Sequence, residues 1–467
     1  MSQPMFKKAF YSSLAMSLPL TVAAQSLTKI DPESYLDLWS LYQQNIVSDP
    51  RIAGAQAQIQ HAQGQEREAF GQMLPQVSAN SSFNRVDREQ GTNKEVVNGE
   101  TYSLRLSQVL YSPAAWRGFK KFSEVTEQYR SQYEDTKVQS TVDLVQRYFA
   151  ALAAEDELEL ATAERQATQR NLDRLQAMLE RKMATITDVL QVSAKVDSLK
   201  TAEIEARNQI QVTREALAEL VGHDVYQPLK RISNNAQFSM PIGTEEQWVS
   251  LAVTNNPALQ AKLKAVDSAN YAIGEARAGH LPTLSFGLGA QRSDFAYENV
   301  PSPQTDTYSA NVSIQIPLYS GGSTTARVEG LYGARDAAEQ EYEAIRRQVI
   351  KETRTAFMKS ASDLSKIASS HRALESAIKS REANERSLSL GVATAVDVLN
   401  AVQQEYSARR DYLKAQYDFV TNQLVLLRWR GGLAEADIHK INDWLSVPVP
   451  GEKRSTGVKE GEVSKNG

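Results

Sequence analysis

Few residues in this 467-residue chain could do chemistry, and their spacing argues against a reaction. The histidines, His61, His223, His280, His371 and His439, are too scattered to share a metal ion. There is no Gly-x-Ser-x-Gly nucleophile elbow and no pair of histidines at helical spacing. Gly321-Gly322 is not followed by Lys-Ser/Thr, so it reads as a turn from strand to helix rather than a phosphate loop. Arg346-Arg347 and Arg409-Arg410 read as solvated helix faces. The expectation is therefore no catalytic residue, no cofactor and no bound metal. Two acids do stand out, because their settings match. Thr185-Ile-Thr-Asp188 and Thr394-Ala-Val-Asp397 both have the Ser/Thr-x-x-acid form of a helix capping box, with Asp in place of Glu.

That match is one part of a longer one. Asp49-Pro50 and Leu74-Pro75 return as Asn256-Pro257 and Leu281-Pro282, both at an offset of 207 residues. Leu110-Tyr-Ser returns as Leu318-Tyr-Ser at 208, and Asp188-Val-Leu as Asp397-Val-Leu at 209. A repeat this long exceeds any small solenoid unit and marks a duplicated half-protein.

Each half reads in the same order. Asp49-Pro50 and Asn256-Pro257 supply an N-cap and a first-turn proline, and Pro75 stops the first helix near Gln72. Two strands follow. Val77 to Phe83, Tyr102 to Gln108 and Leu284 to Leu288 alternate apolar with small polar residues; Tyr308 to Leu318 does so most clearly. The connecting segments 86–100 and 291–307 read as polar loops, and Tyr102, Tyr111, Tyr308 and Tyr319 fall near strand ends. Long helices are expected from Pro113 to about Arg181 and from Ser323 to about Ser389, each roughly 100 Å long. After a short turn, a helix half as long returns, over 187–221 and 395–429. It and the first medium helix would lie end to end beside the long one.

The net charge of −4 gives no reason to expect nucleic acid, and the absence of cysteine excludes disulfides and an N-terminal lipid-modified cysteine. Residues 1–24, with Lys7-Lys8, an apolar stretch and Val22-Ala23-Ala24, read as a secretory signal. The first repeat is assigned to 25–240 and the second to 241–448; the Lys-, Glu-, Gly- and Ser-rich segment 449–467 is expected to be disordered. No later segment is apolar enough for a membrane helix, which a β-barrel does not need.

Four strands cannot close a transmembrane barrel, and an open sheet would leave backbone groups unpaired in hydrocarbon. Three chains would pool twelve strands, an even number in the usual range, with Leu104, Leu106, Phe286, Val312, Ile314 and Ile316 facing lipid and the small polar residues facing water. Six long helix pairs would continue the ring as a tube. A second reading stays open here: a periplasmic coiled-coil scaffold whose hairpins never meet lipid.

The two Asn/Asp-Pro helix starts, Ile316-Pro-Leu-Tyr-Ser-Gly-Gly322 and Gly391-Val-Ala-Thr-Ala-Val-Asp397-Val-Leu-Asn400 resemble the TolC family of outer-membrane efflux and secretion channels over about residues 30–445. The resemblance implies an α+β membrane protein: a homotrimer with a twelve-stranded outer-membrane β-barrel, four strands per chain, continuing into a long periplasmic α-helical barrel. It implies a mixed equatorial region, collecting Trp39, Trp248 and Trp444 into a small core. It further implies docking to a periplasmic adaptor (membrane-fusion) protein and through it to an inner-membrane ABC exporter or proton-driven pump. By the same resemblance, Asp188 and Asp397 lie at the narrow periplasmic entrance, where three copies of Asp397 form an acidic ring and Thr187 and Asp188 stand on the facing helix. A second ring position holds Asn400, and the positions of the closing links hold Leu388 and Ala393, which can form no ionic bond.

Overall fold

The protein is described here from a computed structural model covering residues 35–90, 93–233, 236–240, 242–297 and 303–447. The signal expected at 1–24 and the tail expected at 449–467 lie outside these residues.

Helices α1 (Leu38–Ser48) and α2 (Pro50–Gly71) lead into strands β1 (Gln76–Gln90) and β2 (Asn93–Tyr111), then helices α3 (Pro113–Glu180) and α4 (Ile186–Val221). After the short strand β3 (Arg231–Ile232) the order recurs: α5 (Glu245–Asn255), α6 (Pro257–Arg277), β4 (Thr283–Tyr297), β5 (Thr305–Gln315), α7 (Ser323–Ser389) and α8 (Ala395–Arg430). Helix α9 (Glu435–Asn442) and strand β6 (Leu445–Ser446) close the described chain.

The starts follow the local chemistry read from the sequence. The Asp49 carboxylate accepts from the Arg51 backbone N–H at 2.8 Å, and the Asn256 side chain accepts from Leu259 at 3.1 Å, each ahead of a first-turn proline. Gly321 and Gly322 have φ of +63° and +82°, the left-handed backbone that turns β5 into α7.

The hairpins are longer than their apolar alternation. Segments 86–100 and 291–307, expected as loops, are largely strand, since β1 runs to Gln90, β2 starts at Asn93 and β4 runs to Tyr297. Alternation marks only a sheet with one polar and one apolar face; where both faces meet water, the pattern fades while the hydrogen-bond ladder continues. At the other end β5 stops at Gln315 rather than Leu318, because Pro317 offers no N–H.

All four long strands form one antiparallel sheet in the order β1-β2-β4-β5, so β1 and β5 are open edges. Below it, α3 packs against α2, α4, α6 and α8, while α7 packs against α5, α6 and α8. The pairing of one long helix with two shorter ones is present in each half.

The main core lies where α1, α9 and the β3–β6 pair meet the middle of α3, the C-terminal end of α4 and the second half of α8. Leu38, Leu144, Leu152, Leu217, Phe419 and Ile438 are fully buried there. Each such side chain contributes about 1.5–3 kcal/mol. Trp39 stacks on His439 at 3.8 Å between ring centres, and Trp444 meets Phe238 at 5.4 Å. Trp248 does not join them; it packs separately with Ala356, Leu426 and Leu427. The expected single tryptophan core is therefore two clusters, because Trp248 sits on α5, which lies against α7 and α8 rather than α3.

Candidate functional site

The two helix-turn-helix ends at the far tip of the molecule bring the singled-out acids together. The chain reverses through Lys182 (φ +58°) in one half and Gly391 (φ +74°) at the matching place in the other. Both capping boxes form. Asp188 N–H donates to Thr185 Oγ1 at 3.1 Å, and Thr185 N–H donates back to Asp188 Oδ2 at 3.3 Å. In the second box the Thr394 N–H and hydroxyl both donate to Asp397 Oδ2, at 2.8 and 2.6 Å, and Asp397 N–H returns a bond of 3.2 Å to Thr394 Oγ1. The Thr394 hydroxyl, then its backbone N–H, hold the Asp397 carboxyl below the ordinary range, so it stays ionised.

Val189, next to Asp188, and Ala395, two residues before Asp397, share one apolar cluster with Leu172, Leu175 and Leu399, which places the two helix starts side by side. From there a stripe of exposed polar residues climbs α8 at spacings of three and four: Asp397, Asn400, Gln404, Ser407 and Asp411. Thr187 is exposed at the start of α4, while Asp188 is half-buried.

Leu388, at an expected link position, is buried against Val398, Val402 and Tyr406. Ionic links exist higher up, at residues that sequence reading set aside. Arg410 Nε donates to both Glu157 oxygens at 2.8 and 2.9 Å, and its Nη2 to Glu164 at 2.9 Å, joining α8 to α3. Glu405, 2% exposed, receives Arg381 from α7 and Arg409, the latter at 2.6 Å. Arg410 thus ties α8 to α3, and Arg409 pairs along its own helix with the Glu405 that Arg381 reaches from α7, so neither is a free solvated face. The only local trace of these links is acids at helical spacing, Glu157 with Glu164 on α3 and Glu405 one turn before Arg409 on α8; the partner helix leaves none. Arg346 and Arg347 pair only with Glu343 on their own helix.

At the opposite end the sheet separates its residues by face. The register puts Leu104 beside Ala79 and Ala290, Leu106 beside Val77 and Leu288, and Phe286 beside Val312; Ile314 opposes Leu284. Five of the six expected lipid-facing residues therefore share one apolar face, and Ile316 lies one residue beyond the strand end. Leu104, Val312 and Ile314 are 53%, 64% and 68% exposed in the single chain. Serine, threonine, asparagine and glycine fill most of the other face. Phe70, Trp116 and Phe119 cluster at the helix junction, whereas Phe83 meets Tyr102 edge-on at 5.9 Å halfway along the hairpin, so Tyr102 is mid-strand rather than near a strand end, because the strands run on past it.

The outer membrane efflux protein family matches residues 41–223 and 248–432, one segment in each half. The chain belongs to that family. Among its relatives, the outer membrane protein TolC of Vibrio cholerae is 28% identical over 435 residues, covering 92% of this chain and 98% of the relative. The alkaline protease secretion protein AprF of Pseudomonas aeruginosa is 29% identical over 437 residues, covering 90% and 89%. The Campylobacter jejuni CmeC outer membrane channel shares the fold at a TM-score of 0.76 and 16% identity, covering 94% of this chain and 97% of that one. This efflux-family member is an outer-membrane channel subunit that extends into the periplasm and conducts exported substrates; it is not an enzyme. Three chains complete the twelve-stranded barrel and the helical tunnel. Family membership decides against the coiled-coil scaffold, which had no need of an exposed apolar sheet face.

Proposed function

We propose that the α4 and α8 starts form the periplasmic entrance of this duct, with Asp397 from three chains as its acidic ring and Asn400 as a neutral position one turn inward. The observation that carries this reading is the exposed polar stripe rising from Asp397 beside the start of α4. An ionised carboxylate at a narrow mouth favours multivalent cations. Thr187 and Asp188 flank the mouth from α4. Closure rests on packing around Leu388 and on the Arg410 link to α3, not on a bond at Leu388 or Ala393. The apolar sheet face bearing Leu104, Leu106, Phe286, Val312 and Ile314 meets outer-membrane lipid, with Ile316 at the margin.

The duct serves an inner-membrane transporter through a periplasmic adaptor. Relatives named for protease secretion, AprF and PrtF, favour a secretion system with an ABC exporter over a proton-driven drug pump. The entrance is tested by single-channel recording with a trivalent cation added on the periplasmic side. Asp397→Asn weakens block strongly and Asn400→Asp strengthens it. Equal block in wild type and Asp397→Asn would remove Asp397 from the ring.

A further inference from the structure

The polar face of the sheet carries one ionisable side chain in the stretches 76–86, 99–109, 283–293 and 305–315: Arg105. It is exposed and has no hydrogen bond or ion pair among the described residues. Its cross-strand neighbours are Ser78 on β1 and Gly289 on β4, and Ser103 and Ser107 flank it along its own strand. Within these stretches no carboxylate stands on that face to neutralise it. Charges on the apolar face behave differently, since Arg292 donates to both Asp306 oxygens at 2.7 and 2.9 Å near the loops.

The surroundings of Arg105 are small, polar and uncharged. On β4 Gly287 and Gly289 carry no side chain, and Asn311 Oδ1 and Ser309 Oγ lie over them, 2.7 and 2.8 Å from where a Cβ would stand. The repeat does not double the charge: the counterpart of Arg105, at an offset of 208 residues, is Ser313, whose hydroxyl is bonded to Ser285 at 2.7 Å. Within these stretches one arginine per chain results. It lies six residues from the helix junction at Tyr111, roughly 20 Å along the strand.

We propose that three Arg105 side chains form a cationic collar inside the barrel, a binding site for soluble multivalent anions with phosphate-like oxygens. The inference rests on the channel reading, in which this face lines the lumen. A planar guanidinium with five donors matches paired phosphate oxygens, and three of them converge on one axis. A monovalent anion among exposed charges is screened at physiological salt, where the Debye length is about 8 Å, so the collar favours anions that reach several arginines at once. The lumen would thus be acidic at its periplasmic mouth and basic in its membrane section.

The test uses the full-length trimer in detergent, titrated calorimetrically with inositol hexakisphosphate, while the same preparation is assayed for conductance in planar bilayers. Wild type is expected to bind one molecule per trimer, more weakly as salt rises. Arg105→Gln loses at least about tenfold in affinity, and Arg105→Lys, which keeps the charge but not the paired donors, falls between wild type and Arg105→Gln. Equal binding by Arg105→Gln, or a conducting wild-type trimer that does not bind, overturns the collar and leaves the channel intact. A trimer that neither binds nor conducts overturns both.

Discussion

Helices α3 and α7 occupy the same place in the two halves and have nearly the same length, 68 and 67 residues, yet the chain buries them unequally. Helix α3 is enclosed by five others, and its middle is core; α7 is edged by solvent along much of its length. The returning helices differ in the opposite sense. Ala395 and Leu399 of α8 are buried, whereas Ile186 and Leu190, which match them on α4, are 57% and 61% exposed. Helix α6 bridges α3 and α7, but α2 contacts only α3 of the two long helices. The same repeat cannot be content with two environments. Carried over by the repeat, the α3–α6 and α3–α8 contacts assign α7 of another copy as the neighbour of α2 and α4, just as the free edge of β1 awaits a β5. The inequality records where one chain ends and the next begins.

Breaking the link that only one seam possesses should have the largest effect. Arg410 ties α8 to Glu164, which is 4% exposed, while the matching position on α4 is Thr201. Arg410→Ala strands a buried carboxylate, a loss of about 3–5 kcal/mol. Urea unfolding of the trimer should show it, with Thr201→Ala close to neutral. Next come the matched leucines. In the trimer, Leu399→Ala and Leu190→Ala should cost about 2–5 kcal/mol each. In the dissociated chain only Leu399→Ala should matter, so only the Leu190 effect should vanish on dilution. The two caps are smaller: Thr185→Ala and Thr394→Ala should each cost about 1 kcal/mol, measured by thermal unfolding. Smallest is the acid response of the second cap. The carboxyl pKa of Asp397 is lower folded than unfolded, so its stabilising effect is complete above the unfolded value and is lost as pH falls through the folded one. Asp397→Asn should flatten that part of the acid unfolding curve.

Much of this was legible because the repeat supplied an internal control. Both capping boxes, both proline starts, the two long helices and the apolar face through Leu104, Leu106, Phe286, Val312 and Ile314 follow from residue type and period alone. The outer half of each hairpin did not, since alternation disappears once both faces are wet. Nor did the Arg410 and Glu405 links: a charge pair spanning 246 residues between Arg410 and Glu164 leaves no local pattern. The separation of Trp248 from Trp39 and Trp444 depended on how α5 docks, which is a tertiary matter. Arg105 was hidden in plain sight, an ordinary arginine in a polar strand until the register placed it as the one ionisable residue on the inner stretch of its face.

The completion of one chain by the next can be tested directly, because the protein has no cysteine of its own. Inside one chain Lys121 of α3 pairs with Glu275 of α6 at 2.8 Å. The repeat carries these positions to Gly330 on α7 and Glu68 on α2, both exposed and on helices that do not pack together within the chain. Oxidation of the Glu68→Cys, Gly330→Cys double variant in outer membranes should yield a covalently closed trimer on a denaturing gel, and neither single variant should. A double variant that stays monomeric, or closes a disulfide within one chain, would contradict the shared tube.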